Sequence, residues 1–295
     1  MTFMAVETAD KSKAIVTKAL SSLGEIATLP EITVKIIEIV ENPRSTARDL
    51  HEVIKHDPAL SVKVLKVVNS AFYGLPGQIA SIDRAIILLG LSAVKNIAIA
   101  ASIARLFKGG RISEEFSAAD LWRHSLAVGV ACRAIAQRTH YPVQPDEVFV
   151  AGLIHDMGIL VERQAFPEQL TEVITRYSAG EGDFLDIERQ VIGADHQAFG
   201  AGLTTKWKFP RHLRAAAGFH HNPMALSPEL QKIGHLVQTA DVLCCQEKLG
   251  FYHTAEKGSI TDHMLDDIGI TREQLEETRA ELPDDLSDAE STLAV

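Results

Sequence analysis

Histidines and aspartates recur through the middle and later part of the chain, inside segments that are otherwise apolar. An ionisable side chain costs free energy when it is buried without a partner. Imidazole and carboxylate together suit iron, manganese, zinc or magnesium. Several such groups on helix interiors therefore predict a metal site. The set comprises His124, His155, Asp156, His196, His220, His221 and Asp241.

The strongest local context surrounds His155 and Asp156. They interrupt the run Ala-Gly-Leu-Ile-His-Asp-Met-Gly-Ile-Leu-Val, whose other residues are all apolar or small. Both side chains are therefore predicted to be buried, and a buried carboxylate needs a cation. His124 is followed by apolar residues at helical spacing, and Asp120 lies one turn before it on the same face. Asp241 is also a lone carboxylate in an apolar helical pattern.

Each position has a structural interpretation as well. A single histidine in a core is more often hydrogen-bonded than bound to a metal, and a single buried aspartate is often a helix cap or backbone acceptor. We give that interpretation to the other histidines and interpret the set above, with Asp120, as metal ligands. The histidines interpreted as structural are His51, His56, His140, His212, His235, His253 and His263.

Several segments resemble a known family when they are taken in order. In the C-terminal half they are Trp122-Arg-His-Ser, Gly152-Leu-Ile-His-Asp-Met-Gly, Gly193-Ala-Asp-His-Gln-Ala-Phe-Gly, Trp207-Lys-Phe-Pro and His220-His-Asn-Pro. In the N-terminal half they are Leu29-Pro, Asp57-Pro-Ala-Leu, Val68-Asn-Ser-Ala and the segment from Ile82 to Gly90. The combination, over about residues 15 to 245, is similar to the HDOD family, a branch of the HD-domain metal-dependent phosphohydrolases.

The resemblance implies an all-helical fold and a metal centre. The related HD-GYP phosphodiesterases hydrolyse cyclic di-GMP at a centre of two or three metals. By position, Asp156 would be the bridging carboxylate, and Asp120 matches the extra carboxylate of three-metal members. The implied cofactor is a divalent metal, dinuclear iron or manganese, with zinc, nickel or magnesium as alternatives. The implied ligands are Asp120, His124, His155, Asp156, His196, His220, His221 and Asp241.

Two departures from the HD-GYP enzymes bear on activity. Those enzymes have a lysine three residues after the aspartate of the His-Asp pair, where it can contact substrate phosphate, and this chain has Ile159 there. Their Gly-Tyr-Pro loop is replaced by Asn-Pro-Met-Ala-Leu-Ser-Pro after His221. Both departures remove contacts to substrate, so the resemblance leaves recognition of cyclic di-GMP open. The cations that could replace the lysine are Arg123, Arg163 and Lys206.

Two functions are compatible with these residues. The favoured one is an HDOD-type signal-transduction protein whose centre binds a metal or a nucleotide without turnover. Its N-terminal subdomain would present a surface to a protein partner, such as a sensor kinase or another two-component protein. The alternative is a di-metal phosphohydrolase or phosphodiesterase acting on a nucleotide or cyclic dinucleotide, with Asp156 in the catalytic centre.

Composition and charge bound the remaining possibilities. The 295 residues are 46% hydrophobic, which suffices for a sizeable core. We expect a cytoplasmic protein without a membrane partner, because no apolar run approaches the roughly 20 residues that span a bilayer and no leader pattern is visible. Residues 10–111 carry 14 basic and nine acidic side chains, but the helix after Asp57-Pro58 is mostly apolar, so DNA binding is not expected.

Helical patterns cover almost the whole chain, so the predicted fold class is all-α. An N-terminal helical subdomain is expected over residues 15–110, after an extension of residues 1–14, with a linker at residues 108–113. An HD-type subdomain is expected over residues 111–250. The net charge of −10 comes mainly from residues 261–295, with 11 acidic residues and two arginines. The segment 251–295 is therefore expected to be partly disordered, notably after Pro283.

Helix boundaries are predicted from capping residues and periodicity. Thr46 with Asp49 has the form of a capping box, and Asp57 precedes a proline in the next first turn. Ser81 and Ser92 are predicted N-caps. The predicted helices cover residues 30–41, 46–55, 58–68, 82–89, 93–107, a segment around 120–135, a segment ending near 156, and residues 168–178, 184–193, 197–206, 211–218, 228–249 and 271–280.

Overall fold

The structure, a computed structural model, describes residues 2–23, 31–42, 44–70, 72–107, 110–113 and 116–293. The predicted Leu29-Pro30 motif, Ala71 and the linker residues Lys108 and Gly109 lie outside this part of the chain. The helices of the N-terminal half are α1 (Thr2–Ser22), α2 (Glu31–Glu41), α3 (Ala47–Lys55), α4 (Pro58–Val68), α5 (Ile82–Leu89) and α6 (Leu91–Ile103). A short 3-10 turn follows at Ala104–Phe107.

Helices dominate the second half as well, which confirms the all-α class. A two-stranded antiparallel ribbon of β1 (Arg111–Ser113) and β2 (Phe116–Ser117) occupies part of the predicted linker. The division of the chain at residue 110 stays a prediction. The helices that follow are α7 (Ala118–Arg138), α8 (Pro145–Ile154), α9 (Met157–Ala165), α10 (Pro167–Ser178), α11 (Phe184–Val191), α12 (His196–Lys206), α13 (Arg211–Phe219), α14 (Pro228–Gln246), α15 (Asp262–Ile268) and α16 (Arg272–Leu293).

Most of the capping predictions are confirmed. Thr46 and Asp49 form the reciprocal capping box of α3, and the Asp57 carboxylate accepts a hydrogen bond from the Leu60 backbone N–H at the start of α4. Ser81 accepts from the Arg84 backbone N–H at the start of α5. These local hydrogen bonds satisfy backbone donors that have no partner within the helix.

The prediction for Ser92 is wrong. The helix α6 begins at Leu91, and Gly90 is both the end of α5 and the cap of α6. Gly90 has φ 88°, a conformation that glycine adopts without a steric penalty. The chain therefore passes from one helix to the next at a single residue, and Ser92 lies in the first turn.

The prediction of disorder after Pro283 is also wrong. The helix α16 runs through Pro283 to Leu293 and packs against α7 and α4. Leu282, Leu286 and Ala289 are buried along one face. The acidic side chains lie outside that face, where Arg123 of α7 forms an ion pair with Glu290. Burial of the apolar face thus orders a segment whose charge had suggested solvation.

The helix pair α7 and α8 forms the frame of the second half. At Gly152 of α8 a Cβ atom would lie 2.8 Å from Cys132 Sγ and 2.8 Å from the Val128 carbonyl oxygen of α7. Only glycine permits this approach of the two backbones. Because His124 lies on α7 and His155 directly follows α8, the close contact brings these two imidazoles to the same place.

The segment between α4 and α5 contacts this frame. The Arg133 guanidinium of α7 lies 4.1 Å from the Phe72 ring centroid, and the Tyr73 hydroxyl donates to the Asp146 carboxylate of α8 at 2.8 Å. The Phe72 and Phe149 rings pack with centroids 5.6 Å apart.

In the described residues, none of the helices has an apolar stretch of the length needed to cross a bilayer.

Candidate metal centre

Seven of the eight predicted ligands converge in the second half of the fold. They come from separate elements: His124 from the interior of α7, His155 and Asp156 from the junction of α8 and α9, His196 from the first residue of α12, His220 and His221 from the end of α13, and Asp241 from α14. Each element supplies one or two groups, so the site depends on tertiary packing.

The converging residues form two groups of candidate ligands among the described residues. We call Asp156, His196, His220 and His221 site A, and His124, His155 and Asp241 site B. Within each group the ligand atoms all lie within 4.8 Å of one another. A carboxylate with several imidazoles suits a divalent transition metal.

Asp156 lies between the two groups. Its Oδ1 is 3.4 Å from His196 Nε2 and 3.3 Å from His220 Nε2 in site A. Its Oδ2 is 3.4 Å from His155 Nε2 and 3.6 Å from His124 Nε2 in site B. One carboxylate oxygen thus faces each group, which is the arrangement expected of a bridging ligand.

Asp241 makes the second connection. Its Oδ1 is 3.2 Å from His124 Nε2 and 3.6 Å from His155 Nε2. Its Oδ2 is 3.9 Å from His221 Nδ1, on the side of site A. The Cys245 thiol donates to Oδ1 at 3.3 Å and so helps to fix the carboxylate.

Backbone carbonyls determine which imidazole nitrogen faces the centre. The carbonyl oxygens of Gly152 and Ala216 accept from the Nδ1–H groups of His155 and His220 at 2.7 and 2.9 Å. With the proton on Nδ1, the Nε2 atom keeps its lone pair. His124 Nδ1 lies 3.3 Å from the Leu249 carbonyl oxygen in the same way. Three imidazoles are thus oriented to offer Nε2 to a cation.

Ring nitrogen atoms of site A face one another at the centre. His196 Nε2 is 3.3 Å from His220 Nε2 and 3.0 Å from His221 Nε2. Two lone pairs that face each other repel unless a proton or a cation lies between them. In addition, Nε2 of His124 and His155 and both oxygens of Asp156 are buried without a hydrogen-bond partner among the described residues. The donor set therefore fits a pair of divalent cations.

The electrostatics indicate the same need for positive charge. Burial alone would lower the pKa of His155, but the Asp156 and Asp241 carboxylates outweigh it and raise the pKa to about 10. Burial would raise the pKa of Asp156, but the His155 imidazole holds it well below its usual value. The carboxylates thus attract protons onto the histidines, and a bound metal would replace those protons as the counter-charge.

The centre is almost closed to solvent. The side chains of His124, His155 and Asp156 have 0% exposure, as do those of His196, His220 and Asp241. His221 alone among the seven is partly accessible, at 12%. Solvent therefore reaches the set from the site A side.

Ile159 is fully buried at the position of the HD-GYP lysine. The three cations proposed as substitutes each form a bond to a group outside sites A and B. These bonds join Arg123 Nε to Glu290 Oε1 at 2.8 Å, Arg163 Nη2 to the Gly110 carbonyl oxygen at 3.2 Å, and Lys206 Nζ to the Leu20 carbonyl oxygen at 2.8 Å.

Asp120 is the predicted ligand that the structure does not bring into either group. Its Oδ2 lies 2.5 Å from the Ser117 hydroxyl, and its backbone N–H donates to the same hydroxyl at 3.1 Å. The carboxylate therefore forms part of the N-terminal cap of α7. Asp120 was predicted to point toward the centre because it shares a helix face with His124. Its Oδ2 atom is instead bound locally to the Ser117 hydroxyl.

We expect Asp120→Asn to leave the metal content unchanged and to lower the free energy of unfolding by about 1 kcal/mol, because it weakens the cap of α7. Elemental analysis and urea denaturation of the variant would measure the two effects. A loss of one metal per chain would contradict the capping role and restore Asp120 as the carboxylate of a third site.

Glu188 is a buried residue that the sequence interpretation missed. Its carboxylate lies 2.9 Å from His196 Nδ1 and has 0% exposure. A signal was available, because Phe184, Ile187 and Glu188 follow helical spacing on the buried face of α11. A glutamate on such a face has the same cost of burial that drew attention to the histidines.

Comparison with known proteins gives a family and a fold. The HDOD domain family model matches residues 26–223. An uncharacterized protein of Treponema pallidum (strain Nichols) is 28% identical over 213 residues, which are 70% of this chain and 40% of that protein. The chain spans less than half the length of the curated relatives it matches.

Three solved structures share the fold. An HDOD domain protein of unknown function from Geobacter sulfurreducens has a TM-score of 0.83 and 23% identity, over 97% of this chain and 100% of that one. A candidate phosphohydrolase from Shewanella amazonensis SB2B has a TM-score of 0.75 and 24% identity, over 95% and 98%. A candidate signal transduction protein from Marinobacter aquaeolei VT8 has a TM-score of 0.76 and 21% identity, over 97% and 66%.

Proposed function

The chain belongs to the HDOD domain family, and from that premise we propose that it is a signal-transduction protein whose buried His/Asp centre binds two divalent metal ions without turnover. The observation that carries the proposal is the position of Asp156, with one oxygen facing each ligand group and neither oxygen hydrogen-bonded. An unpartnered buried carboxylate among lone-pair nitrogens is costly unless cations are bound.

The residues of sites A and B would hold one ion each, with Asp156 shared. Iron or manganese is the proposed metal, and zinc, nickel and magnesium are the alternatives, because imidazole and carboxylate ligands accept all of them. Bound ions of this kind supply Lewis acidity and fixed positive charge. The protein supplies the orientation of each imidazole through the carbonyl groups of Gly152, Ala216 and Leu249.

Regulation is favoured over turnover by the surroundings of the centre. Ile159 offers no charge to a phosphate, and Arg123, Arg163 and Lys206 each bond to other groups. The low exposure of the set, with His221 at 12%, leaves little surface for a substrate. On this proposal the bound metal or nucleotide determines the conformation of the protein, and a signalling protein binds that conformation. The Marinobacter protein is named as a candidate signal transduction protein, which is consistent with this role.

The alternative function is a di-metal phosphohydrolase acting on a nucleotide or cyclic dinucleotide. It is favoured by the seven converging candidate ligands. The Shewanella protein, which shares the fold, is named as a candidate phosphohydrolase. On this alternative the partly exposed His221 marks the side from which substrate would approach.

The first test is the metal content of full-length protein purified without chelator. We expect about two iron or manganese atoms per chain, and none in the double variant His155→Ala, Asp156→Ala. Metal-free wild-type protein that remains folded would contradict the proposal. The loaded protein should then be incubated with bis(p-nitrophenyl) phosphate and with cyclic dinucleotides, where metal-dependent hydrolysis that the double variant lacks would select the alternative.

A further inference from the structure

Glu188 is hydrogen-bonded to Nδ1 of the His196 imidazole in site A. Both Glu188 oxygens lie 2.9 Å from His196 Nδ1, and Oε2 also accepts from the His196 backbone N–H at 3.2 Å. The same carboxylate thus binds the ring and the first residue of α12. The Nδ1 atoms of His155 and His220 face neutral carbonyl oxygens instead.

Charge makes this contact different from the others. A carboxylate accepts a stronger hydrogen bond than a carbonyl does, and it raises the basicity of the imidazole at Nε2. It also lies at the N-terminus of α12, where the helix dipole favours negative charge. Both effects act on His196 and therefore on site A.

Two further carboxyl groups lie close to Glu188. Glu162 of α9 is also fully buried, and burial together with the Glu188 carboxylate raises its pKa well above the usual value. Burial raises the pKa of Glu188 as well, and the His196 imidazole opposes that rise. The Asp195 carboxylate is paired with the Arg189 guanidinium, at 2.6 Å from Nη2 to Oδ2, and contributes to the raised pKa of Glu188.

We propose that Glu188 is a positioning residue for site A, because its hydrogen bonds to the ring and backbone of His196 direct Nε2 of that imidazole toward the metal. It does not contact the metal or a substrate. This inference rests on the proposed metal centre. It adds that one of the two ions depends on a residue that is not a ligand, whereas the ion of site B does not.

The test compares Glu188→Gln and Glu188→Ala with the control Glu168→Gln. Glu168 is exposed in the first turn of α10, so its variant makes the same change of charge away from the centre. Glutamine at position 188 keeps the volume and one oxygen acceptor but removes the charge, and alanine removes the acceptor entirely. Binding of Mn²⁺ to chelator-stripped full-length protein would be measured by calorimetry, together with thermal unfolding of the metal-free protein.

We expect wild-type protein and the control to bind two ions. In Glu188→Gln the affinity for one ion should fall about 10-fold, and in Glu188→Ala about 100-fold, while the other ion is retained. Selective loss of one ion separates a positioning role from general structural damage. Structural damage would lower the affinity for both ions and the unfolding temperature of the metal-free protein.

Three results would overturn the inference. If the glutamine variant binds both ions as tightly as wild type, Glu188 has no positioning role and the centre itself stands. If the affinities for both ions fall equally, the role of Glu188 is structural. If wild-type protein takes up no Mn²⁺ and no other divalent ion, the proposed centre and this inference fail together.

Discussion

Asp156→Ala is expected to remove both metal ions from the chain, whereas His124→Ala is expected to remove only the ion of site B. The reason is the position of the two side chains. Asp156 has one oxygen within 3.4 Å of an imidazole nitrogen in each site, while His124 Nε2 faces Asp156 Oδ2 and Asp241 Oδ1 on the side of site B. Loss of the shared carboxylate also leaves Asp241 as the remaining carboxylate among the imidazoles of the two sites.

Metal per chain would be measured by elemental analysis after dialysis against the free ion, for both variants and for the control Asp267→Ala. Asp267 Oδ2 lies within hydrogen-bond distance of His235 Nδ1, at 2.6 Å, outside the two sites. The control should keep two ions and lose stability only modestly. Full metal content in Asp156→Ala would refute the bridging assignment. Equal loss in the two site variants would instead mean that the ions bind only as a pair.

The expected effect on affinity is large because the carboxylate contributes to both ions at once. Removing one hydrogen-bond partner of a ligand costs about 10- to 100-fold in metal affinity. Removing a shared ligand should cost more than that at each site. The loss of metal should therefore be large enough to detect easily. A partial loss of both ions would still indicate that Asp156 contributes to both sites.

The cluster of buried histidines and aspartates could be predicted from sequence, because burying such residues is costly in their local context. A histidine or aspartate within an apolar helical run needs a partner wherever the helix is placed. Helix caps were predictable for a similar reason, since Thr46, Asp57 and Ser81 bond to backbone groups only three residues away. Both kinds of signal are local.

The division into two sites could not be predicted in this way. It depends on which oxygen of Asp156 faces which imidazole, and that follows from the packing of α7, α8, α12 and α13. Glu188 was missed because one buried glutamate in a short amphipathic helix resembles a solvated side chain when only composition is considered. Its role appears once His196 is placed beside it.

The order of α16 could have been predicted from spacing rather than from charge. Leu275, Leu282, Leu286 and Ala289 recur at intervals of seven, four and three, which place them on one helix face. The acidic residues between them suggested disorder, but charges on the opposite face do not prevent an amphipathic helix from packing. Periodicity was therefore the better guide than composition.

Gly158→Ala is expected to destabilise the fold and to disturb site A, although helix propensity alone predicts the opposite. Gly158 lies in α9, and replacing glycine by alanine inside a helix usually stabilises it by about 0.5–1 kcal/mol. Here the added Cβ would lie 1.8 Å from the His196 carbonyl oxygen and 2.9 Å from the Gly200 backbone nitrogen. Backbone atoms cannot rotate away as a side chain would, so α9 and α12 must separate.

The steric cost of the methyl group should exceed the gain in propensity. Overpacking costs about 1–3 kcal/mol and sometimes more, and a contact with backbone belongs at the upper end. We expect the free energy of unfolding of metal-free Gly158→Ala to fall by about 3 kcal/mol in urea denaturation. Because His196 is the first residue of α12, the same displacement should weaken the site A ion before the site B ion.

The control is Gly110→Ala, where a Cβ would have no neighbour within 4 Å in the part of the chain that the structure describes. Its stability should change by no more than about 0.5 kcal/mol, and its metal content should stay at the wild-type value. A Gly158→Ala protein with wild-type stability and two tightly bound ions would show that α9 and α12 do not approach this closely. In that case the geometry assigned to His196, and with it the distance of its Nε2 from Asp156, would have to be revised.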